Sequence, residues 1–393
     1  MKNERKIAVC VFMIAAAFGL NITGIMPVLG LVQERYTDQS TSMVQLMQTL
    51  PYGLLMVSSL MLGWLTARFT NKKLALAALL IIGVFGVLPF FSGSFAALFI
   101  ARLCIGYGFG IVGPINSAII TDFIPEERRP KYFGLNVVGM GIGAMIGNLL
   151  GGILAKSGLR FFYLVYLIGI ISFLVVLATL PERPKQGVEE KSDQKLNALV
   201  FIVSGVAFLH TLFINVYMTN ISMYITQNIS ENPSLSGIAT AIMSVAQLLM
   251  GVSFYRAIKL MKKGTLPFSV FVAVAGFASV LFIPGIAGAI ISSFLCGISL
   301  SCFNAMGAYL MSTFVKPQAV AKACGMFSII GGIGGLISPI VLSGAASAFM
   351  GENTPRNQFT IALIGMLVLG AVMTFFIARG IGEKKDPEEE QQA

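Results

Sequence analysis

Apolar stretches of about 20 residues recur along the whole chain, each ended by a short run of charges or turn-formers. A bilayer core about 30 Å thick takes about 20 apolar residues of helix to cross, and backbone polar groups in lipid must be satisfied within the element itself. The pattern therefore predicts an all-α membrane protein with twelve transmembrane helices. They are expected over 7–32, 43–66, 74–92, 95–120, 132–155, 161–180, 197–226, 236–255, 266–283, 286–314, 325–348 and 358–378. The breaks include Gln33-Glu34-Arg35, the segment from Pro125 to Pro130, Pro284-Gly285 and the segment from Gly351 to Pro355. The first apolar run continues to Val32, longer than the roughly 7–15 residues of a signal-peptide core, so it reads as a span.

Charge placement tests that count. With the N-terminus in the cytoplasm, twenty-two Lys and Arg residues fall on the inner side and four (Arg35, Lys156, Arg160 and Arg356) on the outer, leaving Arg102 inside a span. This asymmetry is what the positive-inside rule requires, and it puts both termini in the cytoplasm of a multi-pass protein of the cell membrane. The net charge of +10 then reports orientation beside anionic lipid, and no nucleic-acid partner is needed. Only 11% of residues are charged and 56% are hydrophobic, against about 25% charged in soluble domains. No polar stretch is long enough to hold an ATPase or catalytic domain. The cysteines (Cys10, Cys104, Cys296, Cys302 and Cys324) lie in or at the ends of apolar runs without a C-x-x-C pattern, so neither a disulfide framework, a metal nor a cofactor is expected.

The polar segment around 181–196 divides six spans from six. Residues 1–180 are read as an N-terminal six-helix bundle, 181–196 as a cytoplasmic linker, 197–380 as a C-terminal six-helix bundle and 381–393 as a tail. Slid along itself, the chain places Gly63 and Arg68 on Gly251 and Arg256. A nearby register places Gly106, Gly134, Gly141 and Gly143 on Gly297, Gly325, Gly332 and Gly334. Two pseudo-symmetric halves are the architecture of carriers that rock around a midplane site.

Three motifs carry a resemblance. Gly63-Trp-Leu-Thr-Ala-Arg-Phe-Thr-Asn-Lys-Lys73 resembles the G-x-x-x-D-R-x-G-R-R/K loop of the major facilitator superfamily. Arg102-Leu-Cys-Ile-Gly106 resembles its fourth-helix R-x-x-x-G pattern. Gly143-Ala-Met-Ile-Gly147-Asn-Leu-Leu-Gly151-Gly152 resembles the fifth-helix G-x-x-x-G-P-x-x-G-G of the drug:proton antiporter branch. Ala67 stands at the aspartate of the loop pattern, Thr70 at a glycine, Asn71 at a basic residue, and Asn148 at the proline. The resemblance implies the major facilitator fold, with helices 1, 4, 7 and 10 around the cavity. It also implies a cytoplasmic latch, with Gly63 opening the loop and Arg68 or Lys72 pairing with Asp122 at the inner end of helix four. Gly143, Gly147 and Gly151 are expected to pack helix five closely.

Arg102 is the sharpest single residue, because an arginine within a span costs about 2.5–3.5 kcal/mol on insertion scales and needs compensation. Snorkelling to the outer headgroups is the alternative to a role in the cavity. Asn21, Asn116, Thr211, Asn215 and Asn304 are the other candidates for a substrate site, with interhelical bonding as the alternative for each. All seventeen acids fall in loops, tails or helix ends, so no embedded carboxylate is available to carry a proton. If a proton is the coupling ion, the candidates are His210, the single histidine, and Glu34 and Asp38 at the outer end of helix one.

The expected partners are a small-molecule substrate, the lipid bilayer and a coupling proton, with the chain acting as a monomer. Two transport readings stay open: efflux of an amphipathic or drug-like compound, and uptake, exchange or uniport of a small organic anion held by Arg102. A polytopic membrane enzyme is the remaining alternative. It would want clustered His, Asp or Glu, which one histidine without embedded acids does not supply.

Overall fold

Twelve long helices make up most of residues 2–182, 196–261, 264–315 and 320–378, which this computed structural model describes. Helix α1 runs Lys2–Thr23, breaks at Gly24 (φ 50°) and a 3-10 turn over Met26–Val28 that contains Pro27, and resumes over Leu29–Arg35. Only glycine adopts that backbone readily, and proline cannot donate to the turn before it. The remaining helices of the first half are α2 Thr41–Arg68, α3 Asn71–Phe91, α4 Phe95–Phe123, α5 Arg129–Ala155 and α6 Leu167–Thr179. The second half has α7 Ala198–Asn228, α8 Pro233–Met261, α9 Thr265–Phe282, α10 Gly285–Phe314, α11 Val320–Met350 and α12 Pro355–Ala378. Side-chain caps start several of them. Ser40 accepts from Met43 N, Thr70 from Lys73 N and Asn197 from Leu199 N. Most of the linker expected at 181–196, and all of the tail at 381–393, lie outside the described residues.

Eleven of these helical segments are long and apolar enough to cross a membrane. The other, α2, has 28 residues and spans about 42 Å at 1.5 Å per residue, ample for a crossing. Its polar residues Gln45, Gln48 and Thr49 are buried in protein and do not meet lipid.

Two apolar cores, one per half, hold the bundle together. The first gathers residues of α1–α6 and takes in one residue of α7, Met223. The second gathers residues of α7–α12 and takes in Met26 from the α1 break. Each half thus closes on itself, with a single exchanged methionine in each direction.

Small residues set the tightest seams. A Cβ built on Gly143 would lie 2.1 Å from the Ala16 carbonyl oxygen, and one on Gly19 would lie 1.9 Å from that of Met140, so α1 and α5 touch backbone to backbone. Gly147 meets Leu20, and Gly151 meets the Phe162 ring just before α6. The second half repeats the arrangement between α7 and α11, where Gly334 would meet the Phe208 carbonyl at 2.2 Å. Such close approach lets dispersion contacts replace the hydrophobic drive that lipid cannot supply. Gly143→Val is therefore expected to part α1 from α5 and to lower stability by about 1–3 kcal/mol. Thermal unfolding in detergent, with Gly134→Val as a control at a glycine facing open space, checks it.

Candidate functional site

Facing stripes on the two halves show where the molecule is closed and where it is open. The basic end is the one bearing the N-terminus and the loop after α2; the distal end is the other. On α2, the stripe Gln45, Thr49, Gly53 and Met56 meets the second half. Thr49 donates to the Leu336 carbonyl at 3.4 Å, Gly53 lies against the Leu336 side chain, and Met56 lies against Gly332. The next two residues of that stripe, Leu60 and Trp64, are 73% and 49% exposed. On α8, Gly237, Thr240, Ser244 and Leu248 meet α5, whereas Val252 and Tyr255 are 87% and 74% exposed. On α5, Gly152, Asn148 and Gly141 face α8, whereas Gly134, seven residues on, faces open space. The halves converge at the distal end and part toward the basic end, enclosing a cleft open on that side.

Uncharged groups make the distal closure. Gln45 Nε2 donates to Asn220 Oδ1 at 2.7 Å and to Gln358 Oε1 at 3.2 Å, and Ser343 donates to Gln45 Oε1 at 3.2 Å. Asn220 Nδ2 donates to Gln358 Oε1 at 2.9 Å, and Gln358 Nε2 donates to Asn353 Oδ1 at 2.7 Å. Gln45, Asn220 and Gln358 are fully buried. Nearby, Gly30 N donates to Ser222 Oγ, which donates to the Pro27 carbonyl across the α1 break. Between α5 and α8, Asn148 Nδ2 donates to the Thr240 carbonyl at 3.2 Å and to Ser244 Oγ at 3.3 Å. Asn148 is the residue standing where the antiporter pattern has proline, and a proline there makes neither bond. Sequence reading did not bring Gln45, Asn220, Ser343 and Gln358 together, because isolated amides in apolar runs do not reveal one another.

Arg102 lies inside the first half, 2% exposed. Its Nε donates to the Met47 carbonyl at 2.9 Å and Nη1 to the Tyr166 hydroxyl at 2.7 Å. Nη2 has no partner among the described residues and abuts Gly24, where a Cβ would lie 2.4 Å away. The guanidinium thus ties α4 to α2 and to the turn before α6, and packs against the α1 break. It is turned neither to lipid nor, in this conformation, into the open cleft. No Asp or Glu appears among the described buried residues, so carbonyl and phenol dipoles compensate the charge.

The other expected site residues are dispersed. Asn116 is buried, and its Nδ2 donates to the Val11 carbonyl and to Asn136 Oδ1, joining α4 to α1 and α5. Asn21 Nδ2 donates to Ala17 O in its own helix, and Asn215 Nδ2 to Thr211 O; both Oδ1 atoms are without partner among the described residues. Thr211 reaches the Gly331 carbonyl on α11. Asn304 differs. It is exposed on the face of α10 between the side that meets α8 (Gly297, Ser301) and the side that meets α7 and α11 (Phe303, Gly307), so it faces the cleft. His210 is fully buried within the second half, its ring stacked on Phe303 at 3.8 Å and its Nε2 3.3 Å from Ser299 Oγ. Glu34 and Asp38 are exposed at the distal end, where Asp38 accepts from Gln39. An aromatic group that sequence reading missed, Phe18, Tyr52 and Phe109, stands beside Gly53, with Phe18 and Phe109 stacked at 4.3 Å.

At the basic end, where the cleft is open, Arg68 and Lys72 stand apart from Asp122. Asn71 Nδ2, not Arg68 or Lys72, supplies a 2.7 Å hydrogen bond to Asp122. Arg68 lies over the Trp64 ring at 4.1 Å, and Lys72 donates to the Leu177 carbonyl. Lys73 pairs with Glu182 at 3.6 Å, and Thr70 donates to the same carboxylate. The substituted Asn71 is short enough to reach Asp122 from the start of α3, whereas the longer cations extend outward. Gly63 lies on α2, one residue before Trp64.

Two six-helix halves around a cleft open at one end define a membrane carrier, and that class can now be made specific. The family model of the Major Facilitator Superfamily matches twice, over residues 9–204 and 203–393, once for each half, and the chain belongs to that family. It is a transporter and not an enzyme. It is 24% identical over 331 residues to a probable sugar efflux transporter of Mannheimia succiniciproducens, covering 82% of this chain and 83% of that one. It is 26% identical over 160 residues to the class H tetracycline resistance protein of Pasteurella multocida, covering 39% of this chain and 38% of that one. In fold it is similar to the crystal structure of a bacterial homolog to the human lysosomal transporter Spinster, with TM-score 0.77, 16% identity, and 96% and 97% of the two chains covered.

Gln45→Leu removes the side chain through which the first half joins the Asn220–Gln358–Ser343 cluster and leaves buried amides short of a partner, at about 1–3 kcal/mol. The distal closure is expected to loosen. Spin labels at Thr37→Cys and Glu231→Cys, on opposite halves at the distal end, should then show a longer distance population that the parent pair lacks. An unchanged distribution would contradict the role given to this cluster.

Proposed function

We propose that this transporter exports an amphipathic or drug-like organic compound across the cytoplasmic membrane by alternating access, with the basic end and both termini in the cytoplasm. The orientation rests on the basic residues at the loops of that end. The observation that carries the substrate reading is the character of the cleft wall. Leu60, Trp64, Val252 and Tyr255 are exposed along it, and the Phe18–Tyr52–Phe109 group stands near its closed apex. Such a surface favours a largely apolar solute. Asn304 offers it a hydrogen bond, and no buried carboxylate among the described residues waits to pair with a fixed cation. The relatives named for sugar efflux and tetracycline resistance agree with outward transport.

In this scheme the compound enters the cleft from the cytoplasm or inner leaflet and settles between the halves near Tyr52, Met56 and Asn304. The halves then rock: the basic end closes, and the Gln45, Asn148 and Ser222 bonds part at the distal end. Arg102 holds the α1 break and α2 in register while this happens. His210 is the remaining candidate for proton coupling, with Glu34 and Asp38 at the distal mouth. A second reading, exchange of a small organic anion, rests on one observation: Arg102 Nη2 keeps a free donor beside Gly24.

Thermal stabilisation of the purified protein by a panel of amphipathic drugs and small organic anions separates the two. The export reading expects the drugs to raise the melting temperature and Arg102→Ala to keep that response, though from a lower starting stability. Selective stabilisation by organic anions, lost in Arg102→Ala, would favour the anion reading instead. Drug accumulation inside everted vesicles, collapsed by dissipating the proton gradient, is the expected sign of proton coupling; accumulation that persists would exclude it.

A further inference from the structure

A crevice of about 440 Å³ lies between α1 and α5 at the basic end, away from the central cleft, lined by Glu4, Arg5, Ala8, Lys131, Tyr132 and Leu135. Its size falls within the roughly 300–1,000 Å³ of small-ligand sites. Lys131 and Leu135 sit on α5 between the stripe that meets α1 (Gly139, Gly143) and the stripe that meets α8 (Gly141, Asn148), so the crevice opens to the outside of the bundle. Its charges do not cancel. The Glu4 carboxylate is taken on both oxygens by Arg128 Nη1, at 2.9 and 3.1 Å, while the Tyr132 hydroxyl points to the Glu4 carbonyl. Arg5 and Lys131 are exposed, and neither has a side-chain partner among the described residues. Two uncompensated cations thus stand over an apolar floor of Ala8 and Leu135, and exposed Val9 and Val138 lie further along the same two helices, toward the membrane interior.

We infer that this crevice binds the phosphate headgroup of an anionic phospholipid of the inner leaflet. Arg5 and Lys131 hold the phosphodiester, and the acyl chains run along Val9 and Val138. The amphipathic layering argues for lipid: a site for a free anion has no use for an apolar floor continuous with a lipid-facing surface. A cation near an anionic membrane surface contributes about a fivefold preference, so the pair should favour phosphatidylglycerol over phosphatidylcholine by roughly 5- to 30-fold. The inference rests on the cytoplasmic orientation of the basic end but not on the identity of the transported compound.

Native mass spectrometry of the purified full chain, titrated with phosphatidylglycerol or phosphatidylcholine, tests it. The parent protein should retain phosphatidylglycerol by that margin. R5Q/K131Q should lose the preference, whereas R256Q/K259Q, which removes two equally exposed cations from α8, should keep it. Should the double variant fold poorly, K131Q alone should lose about fivefold. Millimolar inorganic phosphate separates the sources: no displacement of the lipid supports the headgroup site, and full displacement overturns it in favour of a free phosphate. A parent protein without preference, or an R5Q/K131Q variant that retains it, also overturns the inference.

Discussion

An amide or guanidinium in hydrocarbon must find a protein partner, and that constraint governs this structure more than any other. Outside the small-residue seams, the polar side chains within the spans decide which helices stay together. Asn116 fastens α4 to α1 and α5, Thr211 fastens α7 to α11, and Arg102 fastens α4 to α2 and to Tyr166. All of these bonds stay within one half. The Gln45, Asn148 and Ser222 bonds instead cross between halves, and they lie toward one end. A carrier needs this division: permanent bonds inside each half, exchangeable ones between them.

The exchangeable bonds involve no ionised group. A salt bridge buried at the distal closure would carry a large desolvation cost in one state and strong attraction in the other, making the two states unequal. Neutral amides exchange protein partners for water at a net cost of only about 1 kcal/mol each. The charged contacts of the basic end, such as Lys73 with Glu182, stay on the half that carries them.

Much of the fold was legible in the sequence, because the period of apolar runs and the side of each basic loop report directly on lipid contact. The twelve expected spans each match a helix within several residues, and even α2 was recognised despite its polar content. The seam glycines Gly143, Gly147 and Gly151 lie where α5 meets α1 and the turn before α6. The site was harder to read. Arg102 and Asn116 are on the right helices for a cavity, but helix number does not say which face a side chain takes, and both face inward to their own half. In this conformation, open at the basic end, Asp122 accepts from Asn71 while Arg68 and Lys72 lie elsewhere; the expected latch belongs to the conformation in which that end is closed. Asn148 was noted as a departure from pattern, and only the neighbouring helix reveals it as a bond across the halves.

The central claim is that the two halves part at the distal end during each transport cycle. Asn148→Cys and Ser244→Cys, whose parent side chains are hydrogen-bonded at 3.3 Å, place a thiol on either side of that closure in a background free of other cysteines. Transport by the oxidised, cross-linked protein in proteoliposomes is the most direct measurement. The account predicts that transport falls to background when the disulfide forms and returns on reduction. Undiminished transport with the cross-link intact would contradict it.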